Sequence, residues 1–177
     1  GTGFVALAAA RSARTGASLD DVVAQAVSTV TGLRAYLVVQ RLENLRRSGR
    51  IGAAASWLGT ALALKPLLRL DDGKLVLAQR VRTTSKATAA MVEQVLGAVG
   101  EGRAALAVHH VDNPDGAAQV AATLASALPA CGPAIVTDLG PVLGVHLGPG
   151  AVAVVVAGTG AGLRPRPARP WCPASRW

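Results

Sequence analysis

Arginine and histidine side chains at three places in the sequence could together bind an anion. Arg50 follows Gly49 and precedes an apolar run, Arg80 and Arg82 alternate within one predicted strand, and His146 stands among glycines and prolines. Guanidinium groups bind carboxylates and phosphates through paired hydrogen bonds, and an imidazole can donate one more. These residue types predict a site for an anionic group.

Each of these places also allows a purely structural interpretation. Gly49 is suited to the left-handed turn that ends a helix, where Arg46 and Arg47 would complement the negative end of the helix dipole. Two arginines on one strand face are usually solvated. His146 could be a buried neutral imidazole bonded to a main-chain carbonyl. The residues alone leave both interpretations open.

Other catalytic and metal-binding patterns are missing from the sequence. It contains no P-loop and no Gly-x-Ser-x-Gly pattern. Cys131 and Cys172 are far apart and near no histidine, so we expect neither a zinc site nor a disulfide framework. His109 and His110 are adjacent in a predicted strand, which would place them on opposite faces and argues against shared metal ligation.

The composition predicts a cytoplasmic globular protein. The chain has 177 residues, of which 51% are hydrophobic, 16% charged and 3% aromatic, so disorder throughout is not expected and the core must use Ala, Val and Leu. The net charge is +8, but four arginines and no acidic residue lie in 161–177, which leaves +4 elsewhere. This modest charge and the few aromatic residues argue against nucleic-acid binding.

A charge-free stretch of the sequence has the hydropathy of a membrane span. Residues 139–163 contain no Asp, Glu, Lys or Arg, but they include seven glycines and two prolines. These residues disfavour a spanning helix, so we predict a loop, a short turn of helix and a strand, without stable membrane insertion.

Hydrophobic spacing predicts the elements that would position these residues. We expect five or six helices and six strands: helices over 4–15, 18–32, 41–47, 53–64, 84–99 and from 113, and strands over 34–40, 66–70, 75–81, 104–111, 134–137 and 151–156. The last two strands should be short and buried. The helix over 53–64 is apolar on nearly every side, which indicates burial or contact with an apolar ligand.

Four motifs, taken in order, resemble those of the DegV family of fatty-acid-binding proteins. They are Leu-Glu-Asn-Leu-Arg-Arg-Ser-Gly-Arg-Ile over 42–51, Lys-Pro-Leu-Leu over 65–68 with Asp-Gly at 72–73, Val-Arg-Thr over 81–83, and Gly-Pro-Val-Leu-Gly-Val-His-Leu-Gly-Pro-Gly over 140–150. The resemblance extends over about residues 1–157. It implies an α/β (α+β) fold in which a sheet of about six strands is flanked by helices.

The resemblance also implies a domain organisation. Residues 32–158 would form the C-terminal lipid-binding domain, residues 1–31 would be the last helices of an N-terminal α/β domain, and residues 159–177 a disordered basic tail. Relatives begin with a domain that provides Thr and Ser contacts to the ligand carboxylate, and most of that domain is not in this sequence. Since the first residue is Gly1, we expect a processed chain or part of a longer one.

The family resemblance implies a function without catalysis by this chain. A long-chain fatty acid would lie in an apolar tunnel, and its carboxylate would be presented to a partner fatty acid kinase that supplies the ATP site, as in bacterial phospholipid synthesis. No cofactor or metal is expected. Arg50 and Arg82 would supply charge to the carboxylate or acyl phosphate, and His146 a hydrogen bond.

The same resemblance implies supporting residues around this head group. Loop glycines and a threonine would shape the site, and apolar residues after Arg50 would form the tunnel wall. The first set is Gly49, Thr83, Gly144 and Gly148, and the second is Ile51, Trp57, Leu58 and Leu62.

Two alternatives come from other functional classes. A hydrolase could use His146 with the nearby Asp138, although the sequence offers no nucleophile placed beside them. A basic module could bind nucleic acid or a regulatory partner through the arginine excess, in which case binding should depend on salt and survive deletion of 161–177.

Overall fold

A single six-stranded sheet organises the part of the chain that the computed structural model describes, residues 1–50 and 65–158. The sheet order is β3-β2-β1-β6-β4-β5, and only β4 and β5 are parallel neighbours. The predicted six-stranded α/β fold is confirmed. In chain order the elements are α1 Thr2–Arg14, α2 Leu19–Gly32, β1 Leu33–Val38, α3 Glu43–Arg47, β2 Lys65–Asp71, β3 Lys74–Val81, α4 Thr84–Val99, β4 Ala104–His110, α5 Pro114–Ala127, β5 Ile135–Asp138, α6 Gly140–Leu147 and β6 Val152–Gly158.

Helices α4 and α5 cover one face of the sheet and form the larger core with it. The predicted apolar spacing of α4 is confirmed, because Met91, Val95 and Val99 are all buried. They belong to one cluster with Leu124 of α5 and Val108 of β4. Burial of these side chains is the main contribution to the stability of this layer.

Helices α3 and α6 pack against each other and bury a second cluster of side chains. Leu45 of α3 and Leu147 of α6 join Leu37, Leu68 and Ala153 of the sheet. Side chains alternate along a strand, and Val38 and Leu67 belong to the α4–α5 core. The second cluster therefore lies on the opposite face of the sheet.

Polar N-cap side chains determine where α2, α4 and α5 begin, as the sequence predicts. The hydroxyl of Ser18 accepts a hydrogen bond from Asp21 N at 3.2 Å, and Thr83 does the same for Lys86 N at 3.2 Å. Asn113 Oδ1 accepts from Gly116 N at 3.2 Å. Each cap satisfies an amide that the first helical turn leaves without a partner.

Three expectations about the elements are wrong or incomplete. The segment predicted as a buried strand over 134–137 is β5, whose residues are exposed, because β5 is a short edge strand that pairs only with β4. Val23 and Val27 of the predicted apolar side of α2 are 52% and 51% exposed. Finally, β1 ends at Val38, two residues before the predicted end of the strand at Gln40.

Some predicted features lie outside the described residues. These are the apolar helix over 53–64, the tail over 159–177, and the proposed tunnel-wall residues Ile51, Trp57, Leu58 and Leu62. Within the charge-free stretch 139–163, the prediction of a short helix followed by a strand is confirmed by α6 and β6. In the described ranges, no helix has the length and apolar character needed to cross a membrane.

Candidate functional site

The predicted head-group residues follow elements that meet at one edge of the sheet, which we call the loop edge. Here β1, β3, β4 and β5 end, and β2 and β6 begin. The register shows this directly, because Val38 pairs with both Leu67 and Val152, and Lys65 pairs with Val81. The loops at this edge come from distant parts of the sequence, so the fold brings their side chains to one region.

Arg50 lies in the connection between β1 and β2, directly after a tight turn at the end of α3. Gly49 has φ +68°, Arg50 N donates to Leu45 O at 2.9 Å, and Gly49 N donates to Arg46 O at 3.1 Å. This pair of bonds is the Schellman motif, so the prediction that Gly49 ends the helix is confirmed. The Arg50 guanidinium is exposed and donates to Ser48 O at 3.0 Å.

The neighbouring arginines of α3 have another partner. Arg46 Nη2 lies 2.5 Å from Glu43 Oε1, and Arg47 Nε lies 3.0 Å from the same oxygen. The hydrogen bond from Arg46, together with the one from Arg47, lowers the pKa of Glu43. Arg46 and Arg47 are therefore engaged within α3, whereas Arg50 has no carboxylate partner in the described ranges.

Arg82 is placed in the loop between β3 and α4. The expectation that it shares a strand face with Arg80 is wrong in detail, because β3 ends at Val81 and Arg82 lies outside the strand. Its side chain is exposed and has no ion-pair partner among the described residues. Thr83, predicted to support the site, caps α4 and so fixes the backbone next to Arg82.

His146 lies in the last turn of α6. Its Nδ1 atom is buried and has no hydrogen-bond partner among the described residues, so the alternative of a bond to a main-chain carbonyl is not seen there. Asp138, the carboxylate considered for a hydrolase, instead accepts from Gly140 N at 2.5 Å at the other end of α6. Within the described ranges, no acid or nucleophile meets Nδ1 in the way that a hydrolase would require.

The two remaining predicted glycines lie in and just after α6, and only Gly148 is at a position where a side chain would not fit. A Cβ atom on Gly144 would contact Val111 Cγ1 at 3.5 Å. Gly148 has φ +77°, and a Cβ there would collide with the Asn44 side chain. Gly148 therefore brings the end of α6, and with it His146, next to α3.

An apolar surface lies on the same face of the sheet as α3 and α6. Leu37 and Leu68 are buried, and the half-buried Leu75 and Leu77 of β3 pack against the same cluster. This surface runs from the hairpin end of the sheet toward the loop edge. An elongated apolar molecule lying along it could place a polar end near Arg82.

Two residues at the loop edge were missed as site candidates by sequence reasoning. In the sequence, Lys65 is part of a motif and Gln40 ends a predicted strand, and neither position by itself indicates a binding role. Lys65 Nζ donates to Gln40 O at 2.8 Å and to Gln40 Oε1 at 3.3 Å, and it has no carboxylate partner in the described ranges. The sequence signal that could have identified them is that Gln40 and Lys65 are polar residues at the ends of two apolar strands.

A second half-buried histidine, His109, lies on the same face of the sheet. Nδ1 of His109 has no partner among the described residues, and burial lowers the pKa of His109, helped by the positive charges of the amino terminus and His110. The structure describes no cluster of three or more His, Cys, Asp or Glu that could hold a metal. His109 is therefore interpreted as a neutral packed imidazole.

We expect His109 to make folding stability depend on pH. Its pKa is lower in the folded state, so the unfolded chain binds more protons near pH 6 and the free energy of unfolding falls as the pH is lowered below about 6.5. One proton limits the slope to about 1.4 kcal/mol per pH unit. Urea unfolding between pH 5 and 8 measures how the free energy of unfolding depends on pH, and this dependence should be weaker in His109→Gln. An unchanged dependence would contradict the interpretation of His109 as a neutral packed imidazole.

Comparison with known proteins gives one consistent result. The model of a family described as "Uncharacterised protein, DegV family" matches residues 1–159. A DegV domain-containing protein from Mycobacterium tuberculosis is 60% identical over 156 residues, which are 88% of this chain and 56% of that protein. The chain thus spans a little over half the length of this relative.

Solved structures of two DegV family proteins have the same fold over about nine-tenths of this chain. A DegV family protein from Corynebacterium glutamicum has a TM-score of 0.83 and 34% identity, covering 92% of this chain and 61% of that one. A DegV family protein from Thermus thermophilus, whose structure is described as showing fatty acid binding, has a TM-score of 0.82 and 30% identity. That similarity covers 89% of this chain and 56% of the Thermus chain.

Proposed function

Because this chain belongs to the DegV family, we propose that it binds a long-chain fatty acid and presents the carboxylate at the loop edge to a partner kinase. The observation that carries the proposal is an apolar part of the sheet with the half-buried Leu75 and Leu77, which leads toward the edge where Arg82 is exposed and has no carboxylate partner among the described residues. A fatty acid has the same division between an apolar chain and an anionic end.

The acyl chain gains most of its binding energy from leaving water. Each buried methylene group contributes about 0.8 kcal/mol, so a chain of sixteen or eighteen carbons needs a long apolar surface. Leu75 and Leu77 are only half-buried and can supply part of it. The proposed tunnel wall over 51–64 would supply more.

The carboxylate would be held by charge and by a hydrogen bond. Arg50 and Arg82 would supply positive charge, and His146 would donate a hydrogen bond from its imidazole. The same groups would offset the larger negative charge of an acyl phosphate. The partner kinase would bring ATP, so this chain would act as a carrier without a cofactor of its own.

The domain organisation is part of the proposal. Residues 32–158 would be the lipid-binding domain, and α1 and α2 over 1–31 would be the end of a preceding domain. The exposed Val23 and Val27 of α2 are compatible with contact to further protein. We place the protein in the cytoplasm, where an acyl carrier and an ATP-dependent kinase would meet.

Lipid analysis of the purified chain tests the proposal. Extraction and mass spectrometry should identify copurified long-chain fatty acids, and calorimetry should show uptake of added oleate or palmitate. The absence of both would overturn the proposed function. Salt-dependent DNA binding that persists after deletion of 161–177 would favour the basic-module alternative instead.

Arg82→Ala is expected to weaken oleate binding by about 10- to 100-fold, because it removes one charge-assisted interaction with the carboxylate, worth about 1.5–3 kcal/mol. Binding of oleyl alcohol, which has no carboxylate, should change little. Isothermal titration with both ligands measures the difference. Arg14→Ala, an exposed substitution on α1, is the matched control, and equal losses for acid and alcohol would contradict a head-group role.

A further inference from the structure

The side chain of Gln40 links three elements that meet at the loop edge. Its Oε1 accepts from Lys65 Nζ at 3.3 Å and from Thr84 Oγ1 at 3.3 Å. Its Nε2 donates to Gly150 O at 3.3 Å. Gln40 thereby connects the start of β2, the start of α4 and the turn between α6 and β6.

These partners fix the orientation of the Gln40 amide. Lys65 and Thr84 are donors, so they must face the amide oxygen, and the carbonyl of Gly150 must face the nitrogen. Replacing the amide with a carboxylate would keep or strengthen the interaction with Lys65. It would, however, place an oxygen against the Gly150 carbonyl. Gln40→Glu therefore breaks one connection selectively.

The turn held by Gln40 has little freedom to shift. Gly150 has φ +80°, its N donates to Val111 O at 2.7 Å, and its carbonyl accepts a second hydrogen bond from Asn113 Nδ2 at 3.2 Å. A Cβ on Gly150 would lie 2.7 Å from Gln40 Cγ, so the two residues are in close contact. Loss of either amide donor leaves this carbonyl with a single partner.

His146 depends on this turn for its position. It lies two residues before Gly148, in the last turn of α6, and no described residue bonds to its Nδ1. Since no hydrogen bond at Nδ1 orients the imidazole within the described ranges, its position depends on packing and on the backbone at the end of α6. That backbone is held at Gly150 by Gln40 and Asn113.

We infer that Gln40 is a positioning residue that sets the placement of His146 relative to the Arg82 loop, acting through Gly150 on one side and Thr84 on the other. The inference rests on the proposed function, because it assigns Gln40 a part in recognition of the carboxylate. The arrangement of the head-group residues would then depend on the side-chain amide of Gln40, two residues after β1.

A double-mutant cycle in the full chain tests the inference. Gln40→Glu should weaken oleate binding by about tenfold in the wild-type background and by less than about twofold when His146→Ala is already present. Binding of oleyl alcohol should not change with Gln40→Glu. Gln119→Glu, which introduces the same charge at an exposed position of α5, is the matched control.

A second variant removes the other hydrogen bond to the Gly150 carbonyl, the one donated by Asn113. Asn113→Asp keeps the acceptor that caps α5 but loses the donor to Gly150 O, so it should show the same dependence on His146. Losses that add to that of His146→Ala, or equal losses for acid and alcohol, would overturn the inference. Failure of both variants to fold would show that the network is only structural, and would also overturn it.

A readout without ligand separates the inference from the proposed function. The imidazole ¹⁵N resonances of His146 should shift in Gln40→Glu and stay unchanged in Gln119→Glu. If the wild-type chain takes up no oleate but these resonances shift, the proposed function fails while the positioning role stands. Unchanged His146 resonances in Gln40→Glu would overturn the positioning role.

Discussion

Leu77→Glu is expected to reduce the affinity of the chain for palmitate by about 100-fold or more. Leu77 packs against the cluster of Leu37, Leu68 and Leu147, on the apolar surface proposed to accommodate the acyl chain. A carboxylate there would lose its hydration when the acyl chain binds. The methylene groups beside it could not replace the lost hydrogen bonds to water. A 100-fold loss corresponds to about 2.7 kcal/mol.

Calorimetric titration with palmitate measures this effect, and the same strand supplies its control. Gln79 is exposed and pairs with Leu67 after the bulge in β3, so Gln79→Glu adds the same side chain on the other face of the sheet. We expect Gln79→Glu to bind palmitate as the wild type does. Equal affinities of Leu77→Glu and the wild type would show that the acyl chain lies elsewhere.

Met91→Ala is expected to lower the free energy of unfolding by about 2–5 kcal/mol. Met91 is fully buried between α4 and the sheet, in the cluster that contains Val95, Val108 and Val154. The truncation removes apolar contacts and leaves a cavity that the surrounding side chains fill only in part. The expected loss is a substantial fraction of the roughly 5–15 kcal/mol that typically separates folded and unfolded states.

Urea unfolding followed by circular dichroism measures this change. Glu93→Ala is the matched control, because it introduces the same residue two positions away at an exposed site of α4. It should change stability by less than about 0.5 kcal/mol. A loss below about 1 kcal/mol for Met91→Ala would contradict the assignment of this residue to the centre of the core.

Local features of the fold could be predicted because their causes lie within a few residues. Ser18, Thr83 and Asn113 satisfy amides three residues ahead, so the helix starts follow directly from residue type. The hairpin turn needs two left-handed residues, and Asp72 and Gly73 supply them, with φ +52° and +72°. The core stripes of α4 and α5 follow from the 3.6-residue period in the same way.

The sequence also indicated which side chains could bind an anion. Arg50, Arg82 and His146 were selected by chemistry and by the motif resemblance, and the structure places the elements that carry them at the loop edge. Their joint role in binding a carboxylate is still a prediction, because no described hydrogen bond joins them.

Other features depended on contacts between residues far apart in the chain. Gln40 looked like the end of an ordinary strand, and only the fold places it against Lys65, Thr84 and Gly150, 25, 44 and 110 residues away. The exposure of β5 was decided by its place at the end of the sheet order, which no local pattern encodes.

The sequence by itself therefore determined the elements, their caps and the residue types suited to an anionic ligand, since propensity, capping and periodicity act over a few residues. The tertiary structure alone decided which strand lies at the edge, which face of the sheet is apolar beside Leu77, and that the Gln40 amide bonds both to the start of α4 and to the turn after α6. Those properties arise from packing and hydrogen bonds between distant segments, and they exist only once the sheet has assembled.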